Sequence, residues 1–187
     1  MSAVTGIVLA GGQGRRMGGV DKGLQLLHGK PMVAAVLERL SPQVSEILIN
    51  ANQNLGRYAR FGHRVVPDAV GGFAGPLAGL HAGLGAARHA LALTVPCDSP
   101  FLPLDLFSRL HAGLGKNDLA VARTGNQPHP VFALVRTSVK KNLEEFLSAG
   151  GRKIDAWYAS LKVVEVSFDD EAEAFRNINT REELNSA

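Results

Sequence analysis

The chain has 187 residues, enough for one domain with a sizeable core at roughly 150 residues per domain. Apolar residues make up 45% and charged residues 20%, which excludes a disordered chain, and 21 Gly with 9 Pro indicate many tight loops without low complexity. The net charge of +3 is unevenly placed: seven acids face two bases from Glu165 onward, a local −5 that leaves +8 for residues 1–164, a surplus suited to a small anion and not to nucleic acid.

Thr5–Ala10 is a short apolar run that stops at glycines, as a buried parallel strand does. Similar runs follow at Glu46–Ile49, Arg64–Val66, Leu91–Val95, Leu119–Ala122, Val131–Val135 and Val163–Phe168. Helical periods lie between them. Val33, Val36, Leu37 and Leu40 form a stripe behind Pro31, and Leu77, Leu80 and Leu84 another behind Gly75-Pro76. Leu106, Phe107, Leu110 and Leu114 follow Pro103; Val139, Leu143, Phe146 and Leu147 make a fourth stripe. Thr180 with Glu183 forms a capping box for a last short helix. This alternation predicts one α/β domain over residues 1–187, a parallel sheet with helices on both faces.

A single cysteine excludes a disulfide framework and a four-cysteine zinc site. No Lys or Arg precedes Arg15, so a signal peptide's charged start is missing, and no apolar run approaches the ~18 residues of a membrane span. The expectation is a soluble cytoplasmic protein with no membrane or nucleic-acid partner.

Ligands of such sheets sit beyond the carboxyl ends of the strands. After the first run come Gly11-Gly12-Gln13-Gly14-Arg15-Arg16-Met17-Gly18-Gly19 and then Val20-Asp21-Lys22. After the second comes Asn50-Ala51-Asn52, after the third Pro67-Asp68, after the fourth Pro96-Cys97-Asp98. Glycines let backbone N–H groups approach phosphate oxygens, Arg15, Arg16 and Lys22 neutralise their charge, and a carboxylate holds Mg²⁺ against them. The loop is neither a Walker A, since Gly23 follows Lys22, nor a dinucleotide fingerprint, since Met17 stands at the third glycine. Taken singly, these residues read as a tight turn, a cap before Pro100 and a strand end. Their conjunction at four strand ends points to a nucleoside triphosphate with a metal ion.

The segment Leu9–Leu24 (LAGGQGRRMGGVDKGL) resembles the signature loop of nucleotidyltransferases with a glycosyltransferase-A-like Rossmann fold. With NAN at 50–52, PDAVGGFAGPLAGL at 67–80, PCDSPFLP at 96–103, HPVFAL at 129–134 and NINT at 177–180, the chain resembles the bacterial molybdenum cofactor guanylyltransferase (MobA) family over nearly its whole length. The resemblance implies a Rossmann-like three-layer α/β/α fold with a mostly parallel sheet, of the nucleotide-diphospho-sugar transferase kind. It implies transfer of GMP from GTP to the phosphate of molybdenum-molybdopterin, with Mg²⁺, releasing pyrophosphate.

Nucleotide contacts carry over onto Leu9, Ala10, Gly11 and the adjoining Gly12, and onto Lys22, Asn50, Asp68 and Asp98. The magnesium ligand carries over onto Asp98. Arg15 matches a position near the triphosphate and joins Lys22 and Asp98 as a catalytic candidate. The pterin side is expected late, at His129, Arg152 with Lys153, Asn177 and Asn179. Arg181 stands where the family often has proline after the asparagine motif. Rival readings are a relative that uses CTP and a non-catalytic GTP-binding adaptor that delivers the cofactor. Molybdoenzyme apo-proteins or other cofactor-biosynthesis proteins are the expected protein partners.

Elsewhere the expectations are plain. Cys97 reads as a small buried residue, Trp157 as core, Asp169-Asp170-Glu171 as a solvated loop, and His81 and His89 as facing solvent or a neighbour.

Overall fold

All seven apolar runs form strands of one sheet in the computed structural model, which describes residues 3–12, 20–69 and 75–178. In chain order the elements begin with β1 (Val4–Leu9), a small hairpin of β2 (Leu26–Leu27) and β3 (Lys30–Pro31), and α1 (Met32–Leu40). Then follow β4 (Glu46–Asn50), α2 (Leu55–Ala59), β5 (Arg64–Val66), α3 (Pro76–Ala86) and β6 (Leu91–Pro96). The later part holds α4 (Leu106–Leu114), β7 (Leu119–Thr124), β8 (Gln127–Arg136), α5 (Lys140–Ser148), α6 (Ile154–Tyr158), β9 (Val163–Ser167) and a 3₁₀ segment, Asp169–Phe175.

The seven-stranded sheet runs β5-β4-β1-β6-β8-β7-β9. Its first four strands are parallel, and β7 and β9 are parallel to each other. β8 is antiparallel to both of its neighbours, β6 and β7. The sheet is mostly parallel, as expected, and among the described residues β8 is its one antiparallel strand. The cause is local: the turn at Thr124–Gln127, with Gly125 at φ 53°, folds β8 straight back on β7 as a hairpin, leaving no room for a helical crossover.

Burial explains the three layers. Along β1, Val8 faces one core with Val33, Val36, Leu37 and Leu40 of α1 and Leu106 and Leu110 of α4. Ile7 faces the other, with Leu77, Leu80 and Leu84 of α3, Leu143 and Leu147 of α5 and Trp157 of α6. Strands buried on both faces need continuous apolar sequence, which is why they read clearly. Trp157 is fully buried and its indole N–H donates to Asn142, in keeping with a core role.

The hairpin, α2 and α6 escape sequence reading because they are too short for a 3.6-residue stripe. The turn joining β2 to β3, His28-Gly29, has positive φ at both residues, the geometry a two-residue hairpin requires. β8 starts at Gln127, so His129 lies inside the strand and does not open it. Asp169–Glu171 belongs to the 3₁₀ segment, where Arg109 pairs with Asp170 and Glu171. Of the two alternatives for His81, solvent or a neighbour, the structure takes the second: the ring is buried on α3, with Glu144 Oε2 3.9 Å from its Nε2. The capping box at Thr180 and Glu183 falls outside the described residues. Among the described residues, no helix is long and apolar enough to cross a membrane.

Candidate functional site

Sheet register builds the site. Leu9 pairs with both Asn50 and Pro96, and Asn50 pairs with Val66, so the last residues of β1, β4, β5 and β6 form one level row. Two residues beyond each of them stand Gly11, Asn52, Asp68 and Asp98. Chain order reverses between β1 and β6, the switch point at which open α/β sheets leave a crevice. Backbone bonds carry the row past the sheet: Ala10 N–H to Asn50 O at 2.8 Å, Ala51 N–H to Val66 O at 3.3 Å and Cys97 N–H to Leu9 O at 3.1 Å.

At the β6 end, Lys22 Nζ lies 3.2 Å from Asp98 Oδ2, with the two side chains 24% and 11% exposed. Asp98 is therefore more than a cap before Pro100, because its carboxylate is balanced by a cation at a strand end. Cys97 is buried, and burial with the neighbouring Asp98 and Asp21 charges pushes its thiol far above the ordinary range, which makes it no nucleophile. Among the described residues no three His, Cys, Asp or Glu side chains converge as a metal cage. One hard carboxylate suits Mg²⁺, which commonly takes one or two carboxylates and completes its shell with phosphates and water.

At the β5 end, Asp68 is held on every side. Asn50 Nδ2 donates to its Oδ1 at 2.7 Å and to Val66 O at 3.0 Å; Asn52 Nδ2 donates to its Oδ2 at 2.9 Å. The Asp68 N–H donates back to Asn52 Oδ1 at 2.9 Å. Asn50 is only 2% exposed, and the helix beside it carries Gly79, where a Cβ would lie 2.2 Å from Asn50 Oδ1. A Cβ at Gly11 would lie 2.9 Å from both asparagine side chains, so glycine is required for the loop to pass over them. Among the described residues, nothing lies within 4 Å of a Cβ built on Gly12.

A second network roots Lys22. Tyr58 of α2 is fully buried, and its hydroxyl donates to Asp21 Oδ1 while Asn54 Nδ2 donates to Asp21 Oδ2 at 3.0 Å. Burial above all, then proximity to Cys97 and Asp21, pushes the phenol well above its usual range and keeps it a donor. Sequence reading missed Asp21, Asn52, Asn54 and Tyr58. The only hint was that Asp21 adjoins Lys22 and Asn52 shares its motif with Asn50.

The late candidates are placed differently. β6 and β8 last pair at Thr94 and Ala133, so His129, further back along β8, lies beyond the carboxyl end of β6. Its Nε2 is 2.7 Å from Thr124 Oγ1, its ring stacks on Phe175 at 4.7 Å, and burial holds its pKa below 6.5. Asn177 reaches the Asp98 turn: its Oδ1 accepts from buried Ser99, and the next residue, Ile178, donates its N–H to Asp98 O at 2.9 Å. Arg152 closes α5, its Nη1 donating to Leu147 O at 2.9 Å and Gly151 O at 2.6 Å. Lys153 is exposed beside it. Arg15 and Asn179 lie outside the described residues.

Comparison with known proteins adds the following. Residues 6–163 match the model of the MobA-like NTP transferase domain. A molybdenum cofactor guanylyltransferase of Ralstonia nicotianae is 52% identical, over 98% of this chain and 95% of its own length. The crystal structure of molybdopterin-guanine dinucleotide biosynthesis protein A from Archaeoglobus fulgidus superposes with a TM-score of 0.80 at 28% identity, covering 97% of this chain and 95% of that one. A 4-diphosphocytidyl-2C-methyl-D-erythritol synthase from Anaerococcus prevotii, 16% identical with a TM-score of 0.77 over 100% of this chain and 96% of that one, shares the fold alone.

Proposed function

Because the chain belongs to the MobA-like NTP transferase family, we propose that it transfers GMP from GTP to the phosphate of molybdenum-molybdopterin, making the guanine dinucleotide cofactor and pyrophosphate. The nucleotide occupies the row of strand ends at Leu9–Gly12, Asn50, Asp68 and Asp98, and the pterin lies towards His129, Arg152, Asn177 and Asn179. One observation carries the reading: Gly11, a clamped carboxylate and the carboxylate of a lysine–carboxylate pair share one level across four strand ends.

A pterin phosphate oxygen attacks the α-phosphorus of GTP, a P–O–P bond forms, and the α–β bond breaks to release pyrophosphate. No protein nucleophile is needed, in keeping with the inert thiol of Cys97. Lys22 and Arg15 stabilise the charge that grows on the leaving pyrophosphate, and the fixed strand ends align the reactants. Asp98 would hold Mg²⁺, and the bound ion would supply charge neutralisation at the phosphate oxygens. Asp68, with both oxygens already oriented by Asn50 and Asn52, presents a fixed acceptor to the nucleoside. The chain works as one nucleotidyltransferase domain, and the cytoplasm is its place of action.

Pyrophosphate release with molybdopterin and GTP, CTP or ATP in turn tests the reading. GTP is expected to be preferred over ATP by at least ~10²-fold, because a site built for guanine's donors leaves buried groups unpaired with adenine. Turnover with CTP in place of GTP would make the enzyme a cytidylyltransferase. GTP binding without pyrophosphate release would make it a delivery adaptor.

A further inference from the structure

We propose that Asp21 is a positioning residue for Lys22, with Tyr58 and Asn54 of the α2 region as its fixed anchors; this rests on the role of Lys22 proposed above. Adjacent residues bond to different segments here. Lys22 turns to Asp98 at the end of β6, while Asp21 turns to α2, where its two carboxylate oxygens accept from Tyr58 and Asn54. Only one peptide bond separates the anchored side chain from the lysine whose ammonium must meet phosphate. Fixing the first sets the origin from which the flexible lysine stem reaches.

Three further observations show that this junction is built tightly. A Cβ at Gly23 would lie 2.6 Å from the Tyr58 hydroxyl and 3.2 Å from Cys97 Cβ, so the Lys22 turn is pressed between α2 and the β6 end. Within the turn, Leu24 N–H and the Gln25 side-chain amide both donate to Asp21 O at 3.2 Å, and Gln25 N–H donates to Lys22 O at 3.0 Å. Finally, Asn54 stands at the N-cap of α2 in the left-handed region (φ 53°) and makes no side-chain cap to its own helix. Its Nδ2 donates to Asp21 Oδ2, and holding a non-glycine residue at positive φ to make that bond carries a local backbone cost.

A residue that only holds the fold would lower stability and leave the chemistry of properly folded enzyme intact. A residue that places Lys22 lowers kcat through Lys22, because displacing a cation from charge that grows in the transition state costs rate more than ground-state binding. Tyr58→Phe keeps the ring and removes the hydroxyl. Asn54→Gly keeps left-handed backbone accessible and removes the amide, and it serves if the first variant folds poorly. Each is expected to lower kcat about tenfold with KM for GTP changed less than about twofold.

The deciding measurement is a double-mutant cycle of single-turnover rates with Lys22→Ala, alongside thermal melts. With Lys22 already removed, Tyr58→Phe should cause no further loss of rate, although it still lowers the melting temperature. A kcat near wild type in both anchor variants would overturn the proposal, and so would an undiminished loss in the Lys22→Ala background. Wild-type turnover by Lys22→Ala alone would instead overturn the role given to Lys22 in the parent reading, and the anchor with it.

Discussion

The two halves of the crevice are finished to different degrees. On the proposed nucleotide side, polar side chains from different segments bond to one another: Lys22 to Asp98, Asn50 and Asn52 to Asp68, Tyr58 and Asn54 to Asp21. On the proposed pterin side, the candidates bond to groups outside that set: His129 to Thr124 with its ring on Phe175, Arg152 to the carbonyls closing α5, Asn177 to Ser99. The first half is preorganised before any ligand arrives, so binding there requires little ordering. In the proposed function the second must exchange internal bonds for ligand bonds, and Asn177 links it to the Asp98 turn through Ser99.

The largest expected effect breaks the prepared half. Asp98→Ala should lower turnover about 10³-fold while the chain stays folded, since Asp98 supports Ile178 through its backbone carbonyl and not its side chain. Asp98→Asn should be nearly as damaging because the amide lacks the charge Mg²⁺ prefers. Turnover within about tenfold of wild type, with an unchanged melt, would remove Asp98 from the metal role.

An intermediate effect tests the other half. Arg152→Ala should weaken molybdopterin binding about tenfold and leave GTP affinity unchanged, as the loss of one charged partner predicts. A lowered melting temperature with both affinities affected alike would reduce Arg152 to a cap of α5. Asn177→Ala removes the acceptor of buried Ser99 and should cost about 1–3 kcal/mol of stability as well as pterin affinity. Titrations of each variant with each ligand, beside a melt, separate the two contributions.

The smallest effect is a pH slope. Burial holds His129 below its ordinary 6.5, so the unfolded chain takes up a proton before the folded one. The His129 contribution to stability is therefore intact above 6.5 and is lost as pH falls toward the folded value. His63, lowered by burial too, adds to the same window. His129→Phe should narrow the difference in melting temperature between about pH 7.5 and about pH 5.5 without abolishing it. An unchanged difference would mean that the ring on Phe175 carries no part of the slope.

What the sequence determined by itself was local or periodic. Apolar runs marked all seven sheet strands, four stripes marked the longer helices, and the residues terminating the runs included Lys22, Asn50, Asp68 and Asp98. Such features are legible because a strand buried on both faces must be continuously apolar and must stop where polar atoms reach solvent. Only the tertiary structure decided which terminators meet. Lys22 and Asp98 are 76 residues apart, Tyr58 and Asp21 are 37, and neither pairing leaves a periodic trace. Strand register put them on one level, and a slip of one residue would have turned each side chain to the opposite face. The same applies to β8: a four-residue turn reversed it against the parallel trend and carried His129 past the end of β6, a consequence of hairpin closure that no apolar run encodes.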